Sequence, residues 1–292
     1  MVRVAFQGVA GAYSEQAIRQ YFGSGAEGVP CRELEAIFPA VEQGDADYGM
    51  LAVENAVAGS VAGAYEVLLR HDLRINAEVI LHVRHMLLAM PGSMLEDIRR
   101  VRSHPQALAQ CQRYLDRYEL QPEPAFDTAG SARDLAENPD PEVAVIAGEL
   151  AAELYGLEIL DKSIEDYPFN YTRFLVLGLE DPPKAQRTKT SVVFSTRHKP
   201  GALYACMGEF AKRGINLTKI ESRPRLNQPW RSTFYLDFEG HCQDPLSEAA
   251  LLGLLRHSSF LKLLGSYPMA TTPEPEGVDV ISGGSLTNCG VT

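Results

Sequence analysis

Five short stretches gather small, polar and ionisable residues in a way that suits a binding or reacting site: GVAGAYS at 8–14, ENAVAGSV at 54–61, SHPQAL at 103–108, DTAGSA at 127–132 and NYTRF at 170–174. Their hydroxyl and amide side chains can donate to or accept from a small polar ligand, and Glu54, His104 and Arg173 add charge or a titratable ring. The first stretch, with Ser14 at its end, can bring backbone N–H groups to an anion at a helix start. Each stretch taken singly has a plainer reading as a turn, a helix cap or, at His104-Pro105, an ordinary loop pair.

The elements that must position these stretches alternate in kind. VRVAF at 2–6 reads as a buried strand that runs through GVAGAYS into a helix starting near Ser14. RELEAIFPAVEQGD at 32–45 is helical in pattern, and YGMLAV at 48–53 is a strand whose end delivers ENAVAGSV and then a helix. From about residue 77 the pattern restarts, with EVILHV, HMLLAM and IRRVRS as strands and QALAQCQRYLDRY as a helix. TAGSARDLAE (helix), VAVIA (strand) and GELAAELYG (helix, stopped by Gly156) complete a second lobe expected over about 77–160. This alternation predicts an α/β fold with at least some parallel pairing.

TRFLVLGL at 172–179 is one more buried strand, and the proline and charge of DPPKAQRTK at 181–189 mark a linker. Beyond it the order is βαββαβ, a ferredoxin-like arrangement over 189–268. Residues 271–292 lack a sustained apolar period and are expected to form a mobile tail.

Composition narrows the functional classes. A formal charge of -11 disfavours nonspecific attraction to nucleic acid or anionic membranes, so neither is expected as a partner. The longest apolar runs, such as VAVIA, fall far short of the roughly 20 residues of a membrane helix. Met1 leads straight into VRVAF without a secretion signal, and the five scattered cysteines show no metal-binding spacing. A reduced, cytoplasmic protein with no structural metal and no cofactor is the expectation.

Taken together and in order, GAYSEQA, ENAVAGSV, SHPQALAQC, DTAGSA and NYTRF closely resemble the prephenate dehydratase family, and GALY at 201–204 with KIESRP at 219–224 resembles its phenylalanine-binding ACT domain. The resemblance spans roughly residues 2–268. It implies a two-lobed, periplasmic-binding-protein-like catalytic region over 1–182, with the active site in the cleft, and an ACT regulatory domain over 189–268. Because the chain opens with a strand rather than a chorismate mutase helix bundle, a monofunctional enzyme is expected. Val9 stands where the family often has proline, and Ala56 where serine or threonine commonly follows the Glu-Asn pair.

The chemistry so implied is the conversion of prephenate to phenylpyruvate, with carbon dioxide and the ring hydroxyl lost together. Hydroxide leaves poorly, so a donor to it is the useful catalytic group, and the resemblance gives Thr172 that role within a hydrogen-bonded network. The ring carboxylate becomes neutral and belongs in an apolar or weakly polar pocket, whereas the pyruvyl carboxylate keeps its charge and can be held by Arg173 or by N–H groups near Ser14. In a regular strand Thr172 and Phe174 share a face and Arg173 points away. Either the strand begins after Arg173, or Arg173 is a structural partner, for example of Glu54. Thr172, Arg173, Asn55 and Phe174 are thus the catalytic candidates, and Ser14, Glu54, Gln106, Thr128, Ala129, Ser131 and Asn170 the substrate-binding ones.

For the second domain the resemblance implies a phenylalanine site between neighbouring subunits of a homodimer or homotetramer, with phenylalanine as a feedback inhibitor. Its candidates are Gly201, Ala202, Leu203, Asn216, Leu217, Glu221 and Ser222. Asn216 and Glu221 are suited to an amino acid's charged backbone groups. Two other readings compete: an arogenate dehydratase, and a non-catalytic small-molecule sensor built from two lobes around a cleft.

Overall fold

The computed structural model of the chain describes residues 1–197, 199–224 and 232–271, and the expectation for the tail past Thr271 lies outside them. The chain begins β1 (Arg3–Gln7), α1 (Tyr13–Phe22), β2 (Glu27–Cys31), α2 (Ile37–Glu42), β3 (Tyr48–Asn55), β4 (Gly59–Ser60), α3 (Ala64–Arg70) and β5 (Arg74–His82). It continues β6 (Met86–Ala89), β7 (Arg100–Ser103), α4 (Pro105–Gln110), α5 (Gln112–Arg117), β8 (Gln121–Pro124), α6 (Thr128–Glu137), β9 (Val143–Ala147), α7 (Glu149–Tyr155) and β10 (Glu158–Lys162). After β11 (Tyr171–Gly178) come β12 (Thr188–Thr196), α8 (Ala202–Ala211), β13 (Leu217–Pro224), β14 (Ser232–Glu239), α9 (Pro245–His257) and β15 (Ser258–Pro268).

Three sheets follow from this order: β2-β1-β3-β11-β5 with β4 beside β3, β10-β6-β9-β7-β8, and β13-β14-β12-β15. The first two mix parallel pairs, such as β1 with β3 and β7 with β9, with antiparallel ones. VAVIA shows why such strands read as unbroken apolar runs. Ala144 and Ile146 enter one core and Val143, Val145 and Ala147 another, so both faces of β9 are covered.

The second lobe begins later than the expected residue 77. Residues 74–82 pair along β11 in the first sheet, and the second sheet starts at Met86 and runs to Lys162. Only 83–85 and 163–170 cross between the two lobes. The long helix expected over 106–118 is broken at Cys111 into α4 and α5. Strands β2, β8 and β10 were not expected, and all three are sheet edges. Two carry proline, EGVPC and QPEP, which an edge tolerates because one side of its backbone needs no ladder partner.

The last sheet has the expected βαββαβ order, with α8 and α9 on one face over a core of Phe194, Phe210, Phe238 and Leu254. Its other face lies on the first lobe. Val193, Tyr235, Leu264 and Tyr267 share one core with Ile75, Leu175 and Leu177. A Cβ at Gly265 would stand 2.6 Å from the backbone oxygen of Ile75, so glycine is what lets β15 pass this close to β5. Among the described residues no helix is long and apolar enough to cross a membrane.

Candidate active site

The chain crosses between lobes beside a cavity of about 220 Å³. Its wall combines Tyr13 and Ser14 from the start of α1, Ala52 and Asn55 from β3, and Thr172 and Phe174 from β11 with Val61, Val83 and His85; the second lobe adds His104, Gln106, Ala107, Gln110 and Thr128.

Strand geometry brings two of these groups together. Thr172 pairs directly with Asn55 across β11 and β3, but the register slips between Arg173 and Phe174, which face Glu54 and Ala52. Val53 is the extra residue of this β-bulge, and it lets Ala52 and Asn55, three apart, line the same cavity. In unbroken alternation Asn55 would turn away from Ala52.

The hydrogen bonds then run in one direction. Backbone N–H groups of Val57 and Ala58 donate to Asn55 Oδ1 at 3.1 and 2.9 Å, and because they can only donate they fix the amide's orientation. Asn55 Nδ2 therefore donates to Asn170 Oδ1 at 2.8 Å and to Thr172 Oγ1 at 2.9 Å. Thr172 is an acceptor in this bond, which leaves its own proton free, and no protein acceptor among the described residues takes it. Thr172 is nonetheless buried, at 9% exposure, and faces the cavity.

The network continues away from Thr172. Asn170 Nδ2 donates to Gln110 Oε1 at 3.2 Å, and the same oxygen lies 2.8 Å from His85 Nε2. A carbonyl oxygen cannot donate, so Nε2 carries a proton. His85 Nδ1 sits 2.7 Å from the Tyr13 hydroxyl. Burial holds the His85 pKa below its ordinary value against the opposing effects of Gln110 and Glu165, and burial raises the Tyr13 pKa well above its own. The resting state is accordingly a neutral imidazole accepting from a neutral phenol.

Residues 4–182 match the prephenate dehydratase family. The chain belongs to that family. It is 46% identical over 282 residues to the chloroplastic arogenate dehydratase/prephenate dehydratase 2 of Arabidopsis thaliana, covering 93% of this chain and 74% of that protein. Prephenate dehydratase from Arthrobacter aurescens, solved in complex with L-Phe, superposes with a TM-score of 0.84 at 34% identity, covering 91% of this chain and 90% of that one. A protein described as GqqA, a novel type of quorum quenching acylase, superposes with a TM-score of 0.86 at 38% identity, covering 92% and 98%. Membership of the prephenate dehydratase family makes the chain a lyase that dehydrates and decarboxylates.

Measured against the residues that this resemblance singled out in the sequence, the cavity brings together Ser14, Asn55, Gln106, Thr128, Thr172 and Phe174. Asn170, 1% exposed, stands behind them as a link in the network. Ala129 and Ser131 do not line the cavity: both are buried in α6, where the Ser131 hydroxyl is turned back to the Asp127 carbonyl at 2.7 Å. Arg173 and Glu54 require correction. They project from the opposite face of β11 and β3 toward the third sheet, as alternation demands.

Arg173 Nη1 pairs with Asp237 at 2.6 Å, Nε donates to Glu78 at 2.8 Å, and Nη2 donates to the Tyr267 hydroxyl at 3.0 Å. Burial opposes this charge, but Asp237, Tyr267 and Glu78 outweigh it and hold the guanidinium proton more firmly than usual. Glu54 pairs with Lys219 at 2.9 Å rather than with Arg173. Glu221, expected to hold an amino acid, is already engaged. Its carboxylate accepts from Ser60 at 2.5 Å and lies 3.1 Å from Lys219 and 2.7 Å from Arg223.

Among the described residues, the side chains of the remaining candidates of the third sheet make no bond to that cluster. Gly201 is the left-handed cap of α8, followed by buried Ala202 and half-buried Leu203. Exposed Asn216 donates to Glu239 at 3.1 Å, Leu217 packs under the helices, and Ser222 is exposed.

Tyr13, His85 and Gln110 were missed. Gln110 carried a signal, since it lies four residues after Gln106 in SHPQALAQ and so shares its helix face. His85 carried none, being a single histidine between two apolar strands.

Proposed function

We propose that the protein is a prephenate dehydratase that forms phenylpyruvate, with Thr172 donating its free hydroxyl proton to the departing ring hydroxyl. The observation that carries this reading is the direction of the Asn55 to Thr172 bond, which makes Thr172 a donor toward the cavity. As the bond to the ring carboxylate breaks, its electrons complete the aromatic ring. The carbon–oxygen bond breaks onto oxygen, and water supplies the net proton through Thr172. Ala52, Val61, Val83 and Phe174 offer the apolar wall suited to a carboxylate that leaves as carbon dioxide. The uncapped first turn of α1, at Tyr13 and Ser14, is suited to the carboxylate that stays.

Arogenate differs by an ammonium group where prephenate has a ketone. No carboxylate lines the cavity among the described residues, so that ammonium would enter without a counter-charge, and prephenate is the favoured substrate. An acylase reading is less well supported, because the ring nitrogens of His85 are already matched to Tyr13 and Gln110 and do not pair with Ser14 or Thr172 as a base would. The test is turnover of prephenate and arogenate by the parent and by Thr172→Val. Prephenate should be preferred, and Thr172→Val should lower kcat by about 10²- to 10³-fold with KM little changed. Parent-like turnover by Thr172→Val would sink the assignment.

The third sheet with α8 and α9 is read as an ACT domain through which phenylalanine inhibits. Support comes from its βαββαβ order and from the L-Phe complex of the Arthrobacter aurescens relative. Strand β13 is a sheet edge with Thr218, Ile220 and Ser222 exposed in alternation, which suits a second copy of the chain in a homo-oligomer.

A further inference from the structure

The substrate proposed above carries two carboxylates, yet no lysine or arginine lines the cavity among the described residues. Its basic side chains among the described residues are the imidazoles of His85 and His104. The Tyr13 hydroxyl has one proton and two protein acceptors in range, His85 Nδ1 at 2.7 Å and the Arg84 carbonyl at 3.1 Å. His85 Nε2 is committed as a donor to Gln110, so only Nδ1 can change its state. When a carboxylate arrives at Tyr13 it competes for the single phenolic proton. If Tyr13 turns to the carboxylate, its lone pair and that of Nδ1 face each other, and the conflict ends when Nδ1 gains a proton and donates to Tyr13.

We propose that Tyr13 and His85 form an anion-binding arm in which His85 takes up a proton from solvent as the substrate's retained carboxylate binds. This inference rests on the dicarboxylate substrate of the preceding reading. The arm lies at the far end of the network from Thr172, separated from it by Gln110 and Asn55, so it holds the carboxylate that keeps its charge.

The surroundings permit both states. Tyr13 from α1 and Gln110 from α4 face the ring, Cys111 adjoins as a buried thiol whose pKa burial raises, and Glu165 accepts the His85 backbone N–H at 2.9 Å. His104 lines the same cavity, and the Arg84 side chain turns away to His82. Before a carboxylate binds, burial favours the neutral ring. A bound carboxylate adds the attraction that, with Glu165, outweighs that burial.

The test is kcat/KM for prephenate from about pH 6 to 9, for the parent, Tyr13→Phe and His85→Gln, whose amide still donates to Gln110 but cannot gain a proton. The parent should lose kcat/KM toward tenfold per pH unit above neutrality, whereas His85→Gln should be flat and already low at pH 6. Calorimetry of phenylpyruvate binding to the parent in two buffers of different ionisation enthalpy should show close to one proton taken up near neutral pH, and none in either variant. A flat parent profile, an unchanged slope in His85→Gln, or binding without proton uptake overturns the arm. These outcomes leave the Thr172 reading standing if Thr172→Val is inactive. Failure of phenylpyruvate to bind at all overturns both. The parent's proton count decides the matter even where a variant does not fold.

Discussion

At Asn55 a single side chain sets the role of its neighbour. Its oxygen is occupied by the N–H groups of Val57 and Ala58, so its nitrogen faces Thr172, and a threonine that accepts there has its proton left to give. Asn55→Asp removes the donor and offers a carboxylate that claims the Thr172 proton. It should lower kcat by about 10²- to 10³-fold, like Thr172→Val. The double variant should be little worse than either single one, because both remove the same interaction. Steady-state rates of the three proteins decide this, and near-parent turnover by Asn55→Asp would show that the direction of the bond is unimportant.

Strands β3 and β11 divide their labour by face. Thr172 and Asn55 look into the cavity, while Arg173 and Glu54, their neighbours in sequence, hold the third sheet through Asp237 and Lys219, and Arg173 also pairs with Glu78 on the adjoining β5. Arg173, 12% exposed, serves two carboxylates at 2% and 8%, of which among the described residues only Glu78 has a second cation, Lys189 at 2.7 Å. Arg173→Ala leaves Asp237 buried without its cation and should destabilise the protein by about 3–5 kcal/mol, read from denaturant midpoints. At temperatures where the variant stays folded, KM for prephenate should remain close to the parent's. A large rise in KM with unchanged stability would instead place Arg173 at the substrate.

Across the whole molecule, the expected linker at 181–189 does not separate two independent bodies. The first lobe and the third sheet share a core in which Leu175 and Ile75 meet Tyr235, Leu264 and Tyr267. Gly265→Ala drives a methyl against the Ile75 backbone and should cost about 1–3 kcal/mol by forcing β15 away from β5. Because β5, β11 and β3 adjoin in one sheet, the same change should also alter the phenylalanine inhibition proposed above more than uninhibited turnover. Inhibition curves and thermal melts on the one variant check both statements, and a parent-like melt would show that the contact relaxes without strain.

Much of this was legible in the residues. Apolar runs such as VAVIA and TRFLVLGL announce strands covered on both faces, and alternation within TRF already separates Thr172 and Phe174 from Arg173. Ten of the cavity-lining residues come from stretches that small and polar composition marks out, because a strand-to-helix loop must be short, tight and hydrogen-bonded. Edge strands β2, β8 and β10 were hidden, since an edge needs neither an apolar run nor freedom from proline. Local pattern does not report which distant strand lies opposite. Only the tertiary fold places the Val53 bulge that aims Asn55 at Thr172, assigns β5 to the first sheet, and gives Arg173 and Glu221 their partners across the shared core. Those choices depend on contacts between residues far apart in the chain, and only packing brings such residues together.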